Sequence, residues 1–134
     1  MPGYSGTPLP KKLGIKAGLR AFFVNLPPEI HAELSPSLDQ CEVISKAAAP
    51  IDFAMIFATV AADLNAKFAR VAKVLTPAAM LWVSWPKKSS GVKTDLDENV
   101  VREIGLAAGL VDVKVCAVSE VWSGLKFVRR LKDR

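Results

Sequence analysis

Ile51-Asp52-Phe53-Ala54-Met55-Ile56-Phe57-Ala58 is an apolar run without alternation, and the way it is flanked decides the fold. A strand from Asp52 to Ala58 that is apolar on both sides must be covered on both faces, which places it at the centre of a parallel sheet. Downstream, Ala61, Leu64, Phe68, Val71 and Leu75 recur at steps of three and four, the spacing of one helix face. Thr59 is the expected cap of that helix, Asp63 and Lys67 form an i,i+4 pair on it, and Thr76-Pro77 stops it. Met80 to Trp85 (MLWVSW) then reads as the next strand. Strand, helix and strand make one right-handed crossover unit.

The pattern extends in both directions. Upstream, the chain to Leu13 is rich in Gly, Pro, Ser and Lys and reads as an arm, residues 1–18, without a regular element. Leu19 to Leu26 is a strand closed by Pro27-Pro28; Pro28 opens a short helix, Glu29 to Leu34, and Cys41 to Ser45 is another strand. Downstream, Thr94-Asp95-Leu96-Asp97 has capping-box spacing for a helix whose Leu96, Val100, Ile104 and Ala107 face one way and which Gly109 ends. Leu110 to Val118 and Trp122 to Arg130, joined by Ser119-Glu120-Val121, are expected to pair as an antiparallel hairpin. The fold class is therefore α/β: a Rossmann-like three-layer sandwich whose mostly parallel sheet of about six strands ends in an antiparallel C-terminal hairpin. One domain over residues 1–134 is expected.

With 134 residues, 51% hydrophobic content and a mean hydropathy of +0.26, the chain suits a sheet covered on both faces, and a homodimer equally well. The longest apolar stretch, Ala54 to Ala62, is far shorter than the ~20 residues of a bilayer span. The start, Met1 to Gly6, lacks a basic segment followed by an apolar one, so a cytoplasmic location is expected. The net charge of +5 is uneven. Lys11, Lys12, Lys16 and Arg20 stand at one end without an acid, and Lys126, Arg129, Arg130, Lys132 and Arg134 stand at the other against Asp133 alone. Such ends are solubilising, or they form an anion-facing surface if the fold joins them. Cys41 and Cys116 have no CxxC spacing or histidine partner and are expected to be reduced thiols, with no metal site.

Ile51 to Ala58, the helix after it and Val74-Leu75-Thr76-Pro77-Ala78-Ala79-Met80-Leu81-Trp82-Val83 together resemble the middle of class I methyltransferases. In that family an Asp opens the fourth strand and a Leu-x-Pro-Gly-Gly turn precedes the fifth. Gly109 followed by Leu110-Val111-Asp112-Val113 and the hairpin resembles the family's C-terminal part. Gly3-Tyr4-Ser5-Gly6-Thr7-Pro8-Leu9, Lys11-Lys12-Leu13-Gly14-Ile15, Trp85-Pro86-Lys87-Lys88-Ser89-Ser90-Gly91 and Trp122-Ser123-Gly124-Leu125-Lys126-Phe127-Val128 resemble the uncharacterised bacterial family called domain of unknown function 3052. That likeness implies a bacterial protein and transfers no activity, substrate or catalytic residue.

An open α/β sheet binds ligands beyond the carboxyl ends of its parallel strands. Here those ends are Asn25 to Pro28, Ser45-Lys46, Ala58-Thr59 and Trp85 to Gly91. S-adenosylmethionine needs a glycine-rich first turn and an acid after the second strand; Asn25-Leu26-Pro27-Pro28 and Ser45-Lys46 supply neither. No cofactor is expected. Lys87, Lys88, Ser89, Ser90 and Gly91 form a candidate phosphate or carboxylate site, though the same residues suit a solvated loop. Trp85 and Trp122 are candidate stacking partners beside these cations, or core and interface filler; Trp82 is core. The ligand-binding expectation is thus Trp85, Lys87, Lys88, Ser89, Ser90, Gly91 and Trp122. His31, the only histidine, reads as a surface or capping residue, and Asp95, Asp97 and Glu98 as helix-start residues rather than catalytic acids. The expected function is a noncatalytic Rossmann-like domain for an anionic ligand or phosphate-bearing partner, nucleic acid being an open possibility and a membrane not. A degenerate S-adenosylmethionine-dependent methyltransferase-like enzyme and a homodimeric interaction module are the alternatives.

Overall fold

The computed structural model describes residues 6–134; Gly3, Tyr4 and Ser5 of the strings above lie outside the described residues. Six strands form one sheet in the order β2-β1-β3-β4-β6-β5. They are β1 (Arg20–Val24), β2 (Glu42–Ile44), β3 (Ile51–Phe57), β4 (Leu75–Pro86), β5 (Leu110–Ala117) and β6 (Trp122–Arg129). The first four run parallel, β6 is antiparallel to β4, and β5 is antiparallel to β6. The sheet is thus parallel except for β6, and the expected hairpin is present. β3 is central and buried along most of its length, as its unbroken apolar run requires.

Helices α3 (Ala61–Ala72) and α4 (Glu98–Ala107) cover one face. Their Leu64, Phe68, Val71 and Val101 pack with Ala54, Ile56, Leu81, Val83, Leu125 and Phe127 of the sheet. Helices α1 (Leu9–Leu13) and α2 (Pro28–Leu38) cover the other, where Leu9, Leu13, Ile30, Leu34 and Leu38 meet Phe53, Met55, Phe57 and Trp82. No helix among the described residues is long and apolar enough to cross a membrane.

Several boundaries differ from the sequence reading, each for a tertiary reason. The expected arm contains α1, because Leu9 and Leu13 are buried under the sheet and the Trp82 indole donates to the Leu13 carbonyl at 2.9 Å. Helix α2 runs past Pro36 to Leu38, since Ile30, Leu34 and Leu38 form one buried stripe that outweighs the proline. Thr76-Pro77 lies inside β4, where the pairing with β3 jumps from Ile51↔Leu75 to Phe53↔Met80; the proline falls where no ladder hydrogen bond is needed. Helix α3 accordingly ends earlier, at Ala72. Its cap is not Thr59: the Ala61 amide donates to Asp95 Oδ1 at 2.8 Å. Nor does Thr94 cap α4, whose cap is Asp97, accepting from the Val100 amide at 2.9 Å. The buried face of α4 is Val101 and Gly105, while Ile104 is half-buried and Ala107 exposed.

The connection from β2 to β3, residues 45–50, contains no helix. Parallel crossovers usually carry one, and it would lie over the sheet. Its absence leaves the α3 face of β1 only partly roofed.

Candidate functional site

The carboxyl ends of β1, β2, β3 and β4 make one rim, and the turn after β5 joins it because β5 runs parallel to them. The Lys87 amide donates to the Val121 carbonyl at 2.7 Å, which ties the loop after β4 to that turn.

At the end of β1, Asn25 has φ +56°, and its side-chain amide donates to the Phe57 carbonyl at 3.3 Å. Pro27 caps α2 and Pro28 opens it, so neither offers an N–H; the amides of Ile30 and His31 both turn back to the Pro27 carbonyl. A helix start ordinarily presents free amides to an anion, and this one presents almost none. At the end of β2, Ser45 and Lys46 are exposed and no acid stands there. These residues do not fit S-adenosylmethionine: the first turn cannot cradle it, and Lys46 has the wrong charge for a ribose diol.

From the rim at Val24 and Ser45 down the α3 face of β1 runs a cavity of about 460 Å³ between β1, the loop after β2 and the second half of α3. Phe22, Val24 and Val71 give it apolar walls, and Ser45, Lys46, Lys67 and Arg70 surround them. Lys67 is paired with Asp63 at 3.1 Å, the i,i+4 contact expected from the sequence. No ion pair among the described residues engages Lys46 or Arg70. The one sign of this cavity in the sequence is the six-residue gap between two strands, residues 45–50, with no helical pattern in it.

The loop expected to bind an anion forms a single 3₁₀ turn, Lys88–Ser90, closed by Gly91 at φ +75°. Its donors are partly engaged within the turn. The Ser90 hydroxyl and amide donate to the Lys87 carbonyl, the Gly91 amide donates to the Lys88 carbonyl, and the Val92 amide donates to the Ser90 hydroxyl. Lys88 and Ser89 are exposed and Lys87 half-buried. The two tryptophans lie on opposite faces of the sheet and do not form one aromatic surface beside these lysines. Trp85 is 6% exposed in the α3–α4 layer, so it has no free face to stack on. Trp122 belongs to the opposite layer, where its ring meets Phe57 edge-on at 5.2 Å. Strand alternation sends adjacent side chains to opposite faces, and Trp122 pairs with Pro86 rather than with Trp85.

The acidic residues near α4 have structural partners. Thr94 donates to the Thr59 carbonyl at 2.6 Å and Asp95 caps α3, so this segment fastens α4 to the rim. Arg102 is hydrogen-bonded to Asp112 at 2.9 Å and to Glu98, and these bonds hold its guanidinium above its ordinary range. His31 is exposed on α2. Cys41 and Cys116 are free and half-buried, and no group of three metal-ligating side chains occurs among the described residues.

No family model matches the chain, and no curated protein matches it in sequence. Solved structures do match its fold. The magnesium protoporphyrin IX methyltransferase of Synechocystis with bound S-adenosylmethionine superimposes with a TM-score of 0.60 at 12% identity, over 91% of this chain and 74% of that one. The precorrin-6y C5,15-methyltransferase of Geobacter metallireducens gives 0.57 at 9% identity, over 91% of this chain and 86% of that one. A fibrillarin pre-rRNA processing protein of Methanococcus jannaschii gives 0.55 at 12%, over 93% and 70% respectively. The chain has the Rossmann-like fold of methyltransferases, and at such identity the likeness shows the fold alone.

Proposed function

We propose that the protein is a degenerate methyltransferase-like domain that keeps the fold and takes an anionic ligand with an apolar body at the carboxyl rim, in place of the usual cofactor. The observation that carries this reading is the cavity beside β1 and β2: Phe22 and Val24 form its apolar wall, Lys46 stands just after β2 where a nucleoside cofactor needs an acid, and Lys67 and Arg70 of α3 line the same cavity. Apolar walls reward burial of the ligand body and the cations orient its charge. Lys87 and Lys88 add two more cations to the same rim and Ser89 a hydroxyl donor, while Ser90 and Gly91 shape the turn that presents them. The quoted strings from Lys11 to Ile15, Trp85 to Gly91 and Trp122 to Val128 support kinship with domain of unknown function 3052.

The fold likeness supports a second reading more directly: an enzyme that uses S-adenosylmethionine, as the Synechocystis neighbour binds it. The two diverge on one measurement. Calorimetry with S-adenosylmethionine and S-adenosylhomocysteine is expected to show no saturable binding at millimolar concentrations, because Pro27 and Pro28 remove the amides of the first turn. Micromolar affinity for either compound replaces the proposal with the enzyme.

A further inference from the structure

Lys12 and Lys16 from one end of the chain and Lys126 from the other meet Lys114 on the face opposite the rim cavity. Lys114 of β5 and Lys126 of β6 are directly opposed in the antiparallel register, and like charges so placed destabilise a sheet. Helix α1 and the turn after it bring Lys12 and Lys16 to the same spot. Lys12 Nζ donates to the Ala117 carbonyl at 2.7 Å, and Lys114 Nζ donates to the Lys12 carbonyl at 3.1 Å. Lys126 is half-buried, and its ammonium is disfavoured by that burial and then by Lys114 and Lys16. Among the described residues, no ion pair engages Lys16, Lys114 or Lys126. Folding therefore concentrates positive charge at one point and supplies no carboxylate there.

We propose that Lys12, Lys16, Lys114 and Lys126 form a binding site for an oligophosphate group, a short chain of linked phosphates. Ammonium groups are compact charges with three donors each and no planar fork, which suits tetrahedral phosphate oxygens better than a flat carboxylate. Bonds to the Ala117 and Lys12 carbonyls fix the stems of Lys12 and Lys114, and the exposed Lys114 ammonium keeps further donors for a phosphate oxygen. The cations converge on one spot between α1 and the β5–β6 hairpin. A long nucleic acid would instead require a track of cations along the surface. A chain of phosphates brings several negative charges to that spot at once and cancels the Lys114–Lys126 repulsion.

The test is calorimetric titration of the full chain with sodium tripolyphosphate at low ionic strength, beside orthophosphate, ATP and a single-stranded oligonucleotide. Tripolyphosphate is expected to bind, ATP to bind comparably through the same group, and orthophosphate to bind far more weakly. Lys114→Gln, an exposed change, is expected to weaken tripolyphosphate by about tenfold or more, the size of a lost charge-assisted hydrogen bond. Lys73→Gln, an exposed change beyond the end of α3 and outside both sites, should leave it unchanged. The site is overturned if tripolyphosphate fails to bind the parent, if Lys114→Gln binds as tightly as the parent, or if orthophosphate matches tripolyphosphate. Oligonucleotide binding without tripolyphosphate binding overturns it as well, in favour of an extended polyanion surface.

Discussion

A Cβ built at Gly105 would stand 2.0 Å from Cε1 of Phe127, so the ring of this β6 residue lies directly against the α4 backbone. The ring cannot swing away easily, because Phe127 is fully buried and meets Phe68 edge-on at 5.2 Å. Gly105→Ala is therefore expected to destabilise the protein by about 1–3 kcal/mol through overpacking, despite alanine's better helix propensity. Urea denaturation reads this directly. An unchanged or higher midpoint would contradict the contact.

Phe57 is buried against Trp122 in the α1–α2 layer, and Phe57→Ala should cost about 3–5 kcal/mol. Lys73, exposed beyond the end of α3, should tolerate alanine within ~0.5 kcal/mol. On α4 the order is set by burial: Val101→Ala should cost more than Ile104→Ala, although isoleucine loses the larger side chain. Thermal denaturation of the four variants ranks them, and equal melting temperatures for Phe57→Ala and Lys73→Ala would mean that the faces are misassigned.

The cap of α3 comes from another part of the chain. Asp95→Ala removes the acceptor for the Ala61 amide and should cost about 1 kcal/mol, whereas Thr59→Ala removes no cap and should cost less than ~0.5 kcal/mol. Denaturant midpoints of the two single variants decide between them, and the reverse order would restore Thr59 as the cap.

Lys126 gives stability a pH dependence with a definite sign. Burial, and then Lys114 and Lys16, lower its pKa in the folded state from the ordinary 10.5, so the unfolded chain holds that proton to higher pH. Stability at this position is therefore fully present above 10.5 and is lost as pH falls through the lowered folded value. Cys116, raised by burial against the effect of Lys12 and Lys114, works in the opposite direction and is common to parent and variant. Lys126→Met should thus be more stable than the parent at neutral pH, with the difference shrinking toward alkaline pH. A variant less stable than the parent at neutral pH would show the ammonium to be favourably placed.

Much of the fold was legible because its signals are local. The unbroken run at Ile51 to Ala58, the three-and-four spacing from Leu64 to Val71 and the short turn between Val118 and Trp122 each name their element without reference to the rest of the chain. What escaped depends on contacts distant in sequence. Leu9 and Leu13 form a helix because the sheet covers them, Asp95 caps a helix that begins 34 residues earlier, and Gly105 matters only once Phe127 is beside it. The candidate site was legible to the level of the rim. Alternation places Trp85 and Trp122 in different layers, which separates the expected aromatic pair, and the cavity at Lys46 and Arg70 exists because the connection from β2 to β3 carries no helix over the α3 face of β1.

Titration of the parent with 1-naphthyl phosphate, an apolar body bearing one phosphate group, tests the rim most directly. Saturable binding is expected that S-adenosylmethionine does not displace, that Lys46→Gln combined with Arg70→Gln abolishes, and that Lys114→Gln on the opposite face leaves intact. Binding unaffected by the Lys46 and Arg70 changes, or displaced by micromolar S-adenosylmethionine, would contradict the rim site.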